Sequence, residues 1–154
     1  KEFPLMNSSI EDNEIIAKKY YSIGIAVDSE EGLVVPVIKI ADQKDIFTIA
    51  KEIERLANDV RTRKINIMDL KGSTFTITNV GSIGGLFATP IVNYPETGII
   101  ALGRIYQKPA VVDNNIEIKQ TLPFSITFDH RAVDGAYAAR FSNKFKECLE
   151  NLKF

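Results

Sequence analysis

Two long stretches carry apolar side chains at helical spacing, with short strand-like runs between them, and that alternation leaves this chain few architectures. Over residues 44–61, Ile46, Ile49, Ala50, Ile53, Leu56, Ala57 and Val60 form one stripe while Lys51, Glu52, Glu54 and Arg55 face water, with Asp42 as the expected cap. Over residues 135–152, Tyr137, Phe141, Phe145, Cys148, Leu149 and Leu152 share one side. A helix with a single apolar stripe must lay it on another element, so strands plus two such helices imply an α+β domain. At 154 residues the chain suits one domain with a substantial core.

The strand-like runs are short and separated by turn residues. Tyr21, Ile23, Ile25 and Val27 share one face, and Ser29, Glu30, Glu31 and Gly32 supply a turn into a β-branched run at 33–38. Pro36 has no amide to donate, which predicts an edge strand or a bulge there. After Gly72 a strand is expected over 73–80, with Phe75 and Ile77 facing the core and Thr74, Thr76 and Thr78 on a solvated face. Further strands fit 99–106, 111–112 and, after a turn at Asp113, Asn114 and Asn115, 116–119. Cys148 sits on the aromatic stripe and is expected to be a packing residue rather than a reactive thiolate.

The chain's one histidine, His130, lies where a strand over 123–128 gives way to the second helix, a corner at which a scaffold can present reactive groups. Histidine is the default general base near neutral pH. Alternation also sets His130 on the face of Phe124, Ile126 and Phe128, so an ordinary half-buried histidine bonded to a carbonyl fits equally well. The same apolar surroundings would keep a catalytic imidazole neutral. Periodicity leaves both readings open. Asp134 is placed to cap the helix that follows.

Composition narrows the function classes. With 19 basic against 20 acidic residues nothing suggests a nucleic-acid surface, and a single cysteine forms no internal bridge. One His without a Cys/His cluster leaves too few ligands for a catalytic zinc, so no metal is expected. No apolar stretch reaches the ~20 residues of a membrane span. Residues 81–85 match neither a dinucleotide fingerprint nor a P-loop, and no lysine follows the glycines.

Four ordered stretches carry a resemblance. Phe128-Asp129-His130-Arg131-Ala132-Val133-Asp134-Gly135-Ala136 resembles the His-x-x-x-Asp-Gly signature of the dihydrolipoamide acyltransferases of 2-oxo acid dehydrogenase complexes. Tyr20-Tyr21-Ser22-Ile23-Gly24-Ile25-Ala26-Val27-Asp28, continuing through Gly32-Leu33-Val34-Val35-Pro36-Val37-Ile38, is similar to the same family. So are Gly72-Ser73-Thr74-Phe75-Thr76-Ile77-Thr78-Asn79-Val80-Gly81-Ser82-Ile83-Gly84-Gly85 and Thr89-Pro90-Ile91-Val92-Asn93 followed by Gly98-Ile99-Ile100-Ala101-Leu102-Gly103. Antibiotic acetyltransferases and condensation domains share the His-x-x-x-Asp-Gly pattern but carry a second His where this chain has Asp129.

The resemblance implies a chloramphenicol-acetyltransferase-like fold, a mixed sheet flanked by helices that forms trimers. It implies that residues 1–154 are one domain, the C-terminal portion of the acyltransferase catalytic domain, with the lipoyl and subunit-binding domains absent. Substrates would be coenzyme A and a dihydrolipoyl-lysine on a separate domain. His130 would be the base, Thr78 the hydroxyl that steadies the oxyanion, and Asp134 a residue that caps the helix and pairs with a cation. From periodicity alone Thr78 is an ordinary strand threonine; its catalytic role comes from the resemblance. Asn79, Gly81 and Ser82 would border the substrate, and Arg131 would bind substrate or form an ion pair. Partners would be further copies in a larger core, lipoyl domains, and the decarboxylase and dihydrolipoamide dehydrogenase components, in cytoplasm or mitochondrial matrix. An inactive architectural subunit, or another coenzyme-A-dependent acyltransferase, are the competing expectations. Thr78 is reminiscent of the 2-oxoglutarate branch, whereas Ser82-Ile83-Gly84-Gly85 is closer to the pyruvate and branched-chain branches, so acetyl or branched-chain acyl groups are favoured.

Overall fold

Among the described residues, alternation and turn chemistry give eleven short strands and two long helices. The computed structural model describes residues 1–30 and 32–152. In chain order the elements are β1 (Ser8–Glu11), β2 (Glu14–Ala17), β3 (Ile23–Ile25), β4 (Val27–Ser29), β5 (Gly32–Val34), β6 (Val37–Ile38), α1 (Ile46–Arg61), β7 (Phe75–Asn79), β8 (Gly98–Leu102), β9 (Tyr106–Val112), β10 (Asn115–Thr121), β11 (Phe124–Phe128) and α2 (Gly135–Glu150). The central sheet has five strands in the order β11-β8-β7-β3-β6, parallel at β8-β7 and β7-β3 and antiparallel at both edges. It is a mixed sheet with helices packed on it, the α+β class expected.

The core lies between this sheet and α2. Phe75, Ile77, Ile100, Leu102, Phe124, Ile126 and Phe128 meet Tyr137, Ala138, Phe141 and Phe145 of the helix. Aromatic edges organise the contact, with Phe124 5.1 Å from Phe145 and Phe3 5.5 Å from Phe141 between ring centroids. α1 packs against β4 and β6 and buries Leu56 and Val60, while Ile46, Ala50 and Ile53 from the first half of its stripe stay exposed.

Several expectations need correction. The α1 cap is Asp45, whose carboxylate accepts the Thr48 amide at 2.7 Å; Asp42 instead lies in the tight turn Ala41–Gln43 that follows Ile40 in a left-handed conformation. The strand through Tyr21 and Val27 breaks at Ala26, whose N–H still reaches the Ile77 carbonyl, so that β4 can leave the sheet and pair with β5. The 33–38 run splits at Pro36, whose carbonyl accepts from Ile25, and β6 is the edge strand that a missing amide demands. The turn expected at Ser29 and Gly32 includes Glu31, which lies outside the described residues. The strand expected over 99–106 stops at Leu102, because the Gly103 amide turns to the Pro123 carbonyl.

Thr74 and Thr76 are fully buried, not solvated, because β7 is central and covered on both faces. Their hydroxyls are partnered by Ser22 and Glu96. Cys148 is exposed. Phe145 already meets Phe124, the first residue of β11, so the last turn of α2 overhangs the sheet and leaves Cys148, Leu149 and Leu152 uncovered. The β9–β10 hairpin turns at Asp113 and Asn114 with φ of 48° and 64°, the pair of positive values a two-residue primed turn requires. The β1–β2 hairpin has no counterpart among the expected strands; Asp12, with φ 52°, marks its turn.

Candidate active site

Thr78 lies near the end of β7 on the face turned away from α2. Phe75 and Ile77 join the cluster under the helix, so alternation sends Thr76 and Thr78 to the other side. There Thr78 borders a cavity of about 430 Å³ walled largely by aliphatic side chains, among them Leu33, Val35, Val80, Ile91, Val92 and Ile99.

The loop after Thr78 is held by its own polar groups. The Asn79 side-chain oxygen accepts the Gly81 amide at 2.9 Å, Ser82 donates to the Asn79 carbonyl at 3.4 Å, and Gly85 N–H returns to the Val80 carbonyl. A Cβ on Gly81 would come within 2.6 Å of the Gly103 carbonyl carbon, so only glycine permits this approach. Asn79, Gly81 and Ser82 therefore sit together beside Thr78, but Val80 is the loop residue that lines the cavity.

The His130 corner is organised by Asp129. Its amide donates to the Thr97 carbonyl, its own carbonyl accepts from Ala132 and Val133, and its carboxylate grips Arg131 through Nε and Nη2 at 3.0 and 2.7 Å. That grip, the Arg131 side-chain hydrogen bonds above all, holds the Asp129 carboxyl below its ordinary range. Arg131 is thus an ion-pair residue in this chain. Asp134 caps α2 by accepting the Tyr137 amide at 2.7 Å and makes no ion pair among the described residues. The His130 ring is exposed, stacked obliquely 5.6 Å from Phe128, and neither nitrogen has a hydrogen-bond partner among the described residues. The half-buried, carbonyl-bonded histidine is not what the chain contains, nor is the ring sunk among apolar side chains.

Register separates the two groups. Thr78 pairs with Ala101, and Ala101 with Ser125, while His130 follows the far end of the antiparallel β11. From Ser125 to Asp129 is ~13 Å along the strand and two inter-strand spacings add ~10 Å across, so roughly 16 Å divides Thr78 from Asp129, the residue before His130, within one chain. Thr78 and His130 also project to different faces of the sheet, since Phe128, the neighbour of the His130 ring, belongs to the cluster under α2. One chain does not bring Thr78 and His130 together.

Sequence reasoning missed Glu96. It is 4% exposed and is the one buried ionisable side chain among the described residues. Ser73 and Asn93 donate to one carboxylate oxygen and Thr76 to the other, the last at 2.7 Å. Burial pushes its carboxyl above the ordinary value, and the three donors pull against that shift. The only hint in the sequence is its place just before the apolar run of β8. Among the described residues there is no cluster of ligating side chains that could hold a metal, and no helix long and apolar enough to cross a membrane.

The family model for the 2-oxoacid dehydrogenases acyltransferase (catalytic domain) matches residues 1–154. The chain belongs to this family. A curated relative in Acholeplasma laidlawii, the dihydrolipoyllysine-residue acetyltransferase component of pyruvate dehydrogenase complex, is 47% identical over 153 residues, 98% of this chain but 28% of the relative. Among solved structures, the Azotobacter vinelandii dihydrolipoamide acetyltransferase superposes with a TM-score of 0.94 at 41% identity, covering 98% of this chain and 63% of that one. The cubic core of a pyruvate dehydrogenase multienzyme complex also gives 0.94, at 40% identity and the same coverage. Chloramphenicol acetyltransferase, at 13% identity and 0.56, shares the fold. The chain thus spans less than a third of that curated relative. In the Azotobacter enzyme a serine, a histidine and an asparagine were investigated for roles in the catalytic mechanism, at successive intervals of 52 and 4 residues, the intervals that separate Thr78, His130 and Asp134.

Proposed function

We propose that this chain is the C-terminal portion of an acyltransferase catalytic domain that moves an acyl group between dihydrolipoyl-lysine and coenzyme A, and that it builds the core of a 2-oxo acid dehydrogenase complex. The observation that supports this reading is the coincidence of intervals: a hydroxyl residue, the one histidine and a helix-capping Asp are spaced as the three investigated residues of the related enzyme are. Since His130 and Thr78 of one chain lie at opposite ends of the sheet, the working site pairs His130 of one protomer with Thr78 of a neighbour, in a trimer.

The chemistry needs no covalent enzyme intermediate and no redox partner. As the coenzyme A sulfur attacks the acyl carbonyl, His130 takes the thiol proton and the new carbon–sulfur bond forms. Thr78 donates its hydroxyl proton in a hydrogen bond to the resulting oxyanion. Collapse breaks the bond between the acyl carbon and the dihydrolipoyl sulfur, and that sulfur receives the proton from His130. Asp134 acts at one remove by fixing the helix start behind His130, and Asn79, Gly81 and Ser82 by holding the loop that presents Val80. Lipoyl domains deliver the acyl group, and the decarboxylase and dihydrolipoamide dehydrogenase components are engaged through domains outside these residues.

The test is acyl transfer between acetyl-coenzyme A and dihydrolipoamide in the assembled full-length chain. His130→Ala lowers kcat by about 10²–10⁴-fold and Thr78→Ala by about 10²–10³-fold, each with the fold intact. Undiminished turnover in His130→Ala refutes the assignment, and labelled acyl trapped on the protein before coenzyme A arrives refutes direct transfer.

A further inference from the structure

The cavity beside Thr78 is uncharged at its surface but not behind it. Among the described residues no lysine, arginine or histidine lines it. Two of its lining side chains, Thr76 and Asn93, donate to Glu96, which lies immediately behind them. Among the described residues every hydrogen-bond partner of the Glu96 carboxylate is neutral, so its charge is solvated by dipoles and matched there by no cation. Arg131, the cation that follows His130, is already held fork to fork by Asp129.

We propose that Glu96 is a specificity-determining residue of the acyl site, its carboxylate excluding from behind the wall any acyl group that carries a second carboxylate. The proposal rests on the acyltransferase reading above. A carboxylate entering the cavity loses its hydration without gaining a counter-ion. It also meets a like charge across a single layer of side chains; for an assumed separation of about 7 Å and an effective dielectric near 20, that repulsion alone disfavours it by a factor of roughly 50. An uncharged aliphatic acyl group suffers neither effect and gains the apolar wall of Leu33, Val35, Ile91, Val92 and Ile99.

The discriminating pair is succinyl-coenzyme A against 4-oxopentanoyl-coenzyme A, in which a methyl ketone replaces the terminal carboxylate at nearly constant shape. In the assembled full-length chain, kcat/KM for succinyl transfer to dihydrolipoamide is expected to be at least about tenfold below that for 4-oxopentanoyl. Glu96→Gln, which keeps the volume and removes the charge, raises the succinyl to 4-oxopentanoyl ratio by about tenfold or more. A purely structural role would lower both substrates together and leave the ratio unmoved. Equal use of the two substrates by the parent protein overturns the proposal while leaving the acyltransferase reading standing, as does an unchanged ratio in Glu96→Gln. Absence of transfer for acetyl and every other acyl group sinks the underlying reading instead. Should Glu96→Gln not fold, the comparison of the two substrates on the parent protein decides the matter alone.

Discussion

The separation of Thr78 from His130 makes a quantitative prediction about mixed assemblies. Within a chain Thr78 and the start of the His130 corner are divided by roughly 16 Å and by the sheet itself, far more than a thioester carbonyl and an attacking sulfur can bridge. If each site draws Thr78 from one protomer and His130 from the next, Thr78→Ala and His130→Ala chains complement each other. In oligomers assembled at random from equal amounts, a site has an intact Thr78 with a chance of one half and an intact His130, independently, with a chance of one half. About a quarter of the sites are then fully equipped, and kcat per protomer recovers to about 25% of the parent value from single variants at least about a hundredfold down. The converse mixture sharpens the result. Equal amounts of the parent and the Thr78→Ala, His130→Ala double variant give about a quarter of parent activity if the groups come from different chains, and about a half if each chain carries its own site. Co-expression with distinguishable tags, purification of mixed oligomers and an acetyl-transfer assay measure both. Activity in the first mixture no higher than the average of the single variants refutes the reasoning.

Other consequences are local. Asp134→Ala removes the cap on α2 and lowers stability by ~1 kcal/mol, a Tm decrease of about 3 °C by calorimetry, whereas Asp134→Asn keeps a capping acceptor and stays within about 1 °C. A Cβ on Gly103 would lie 2.0 Å from the Leu86 carbonyl oxygen, which is backbone and moves only with the loop. Gly103→Ala therefore costs about 2 kcal/mol or more in urea unfolding, against a few tenths for an exposed substitution. Glu96 has its carboxyl raised in the folded protein, burial being the main cause. Its contribution to stability is then fully present below the unfolded value near 4.5 and is lost as pH rises through the folded value, so Glu96→Gln melts higher than the parent at neutral pH and the gain vanishes on acidification toward 4.5.

The periodic elements were legible because one constraint dominates each. The second helix follows from its aromatic stripe and from Asp134 ahead of it, and the β9–β10 hairpin from two residues that tolerate positive φ. What misled was any inference from alternation to solvent. Thr74 and Thr76 alternate as on an exposed face, yet they stand on a central strand whose second face is covered. Strand order comes from long-range pairing, which a period of two does not encode. Asp42 and Asp45 present the same chemistry three residues apart, and only the left-handed turn at Ile40 decides which one meets the helix. Of the candidate site, Thr78 and His130 could be named because local motifs carry them. Glu96 could not, because what makes it unusual is its burial, and that is conferred by Ser73, Thr76 and Asn93 folding over it.

Under the proposed mechanism, assembly and catalysis are one requirement. The cavity rim exposes Ile91 at 90% and Tyr94 at 80%, with Leu33 beside them, and the neighbouring loop exposes Ile83 and Phe87. So many exposed apolar side chains at and beside one cavity are ordinarily covered by another protein surface. The hydroxyl half of the site sits in that patch, and the imidazole half stands exposed, without a hydrogen-bond partner among the described residues, at the other end of the sheet, on a corner that Asp129 and Asp134 hold in place. A neighbour that covers the patch with its own His130 corner removes water from the cavity, supplies the base, and strengthens the Thr78 hydrogen bond by lowering the local dielectric, all in one contact. An isolated protomer would then hold both parts of the machinery and be unable to turn over, so activity should fall with dilution in step with the fraction of assembled oligomer rather than with total protein.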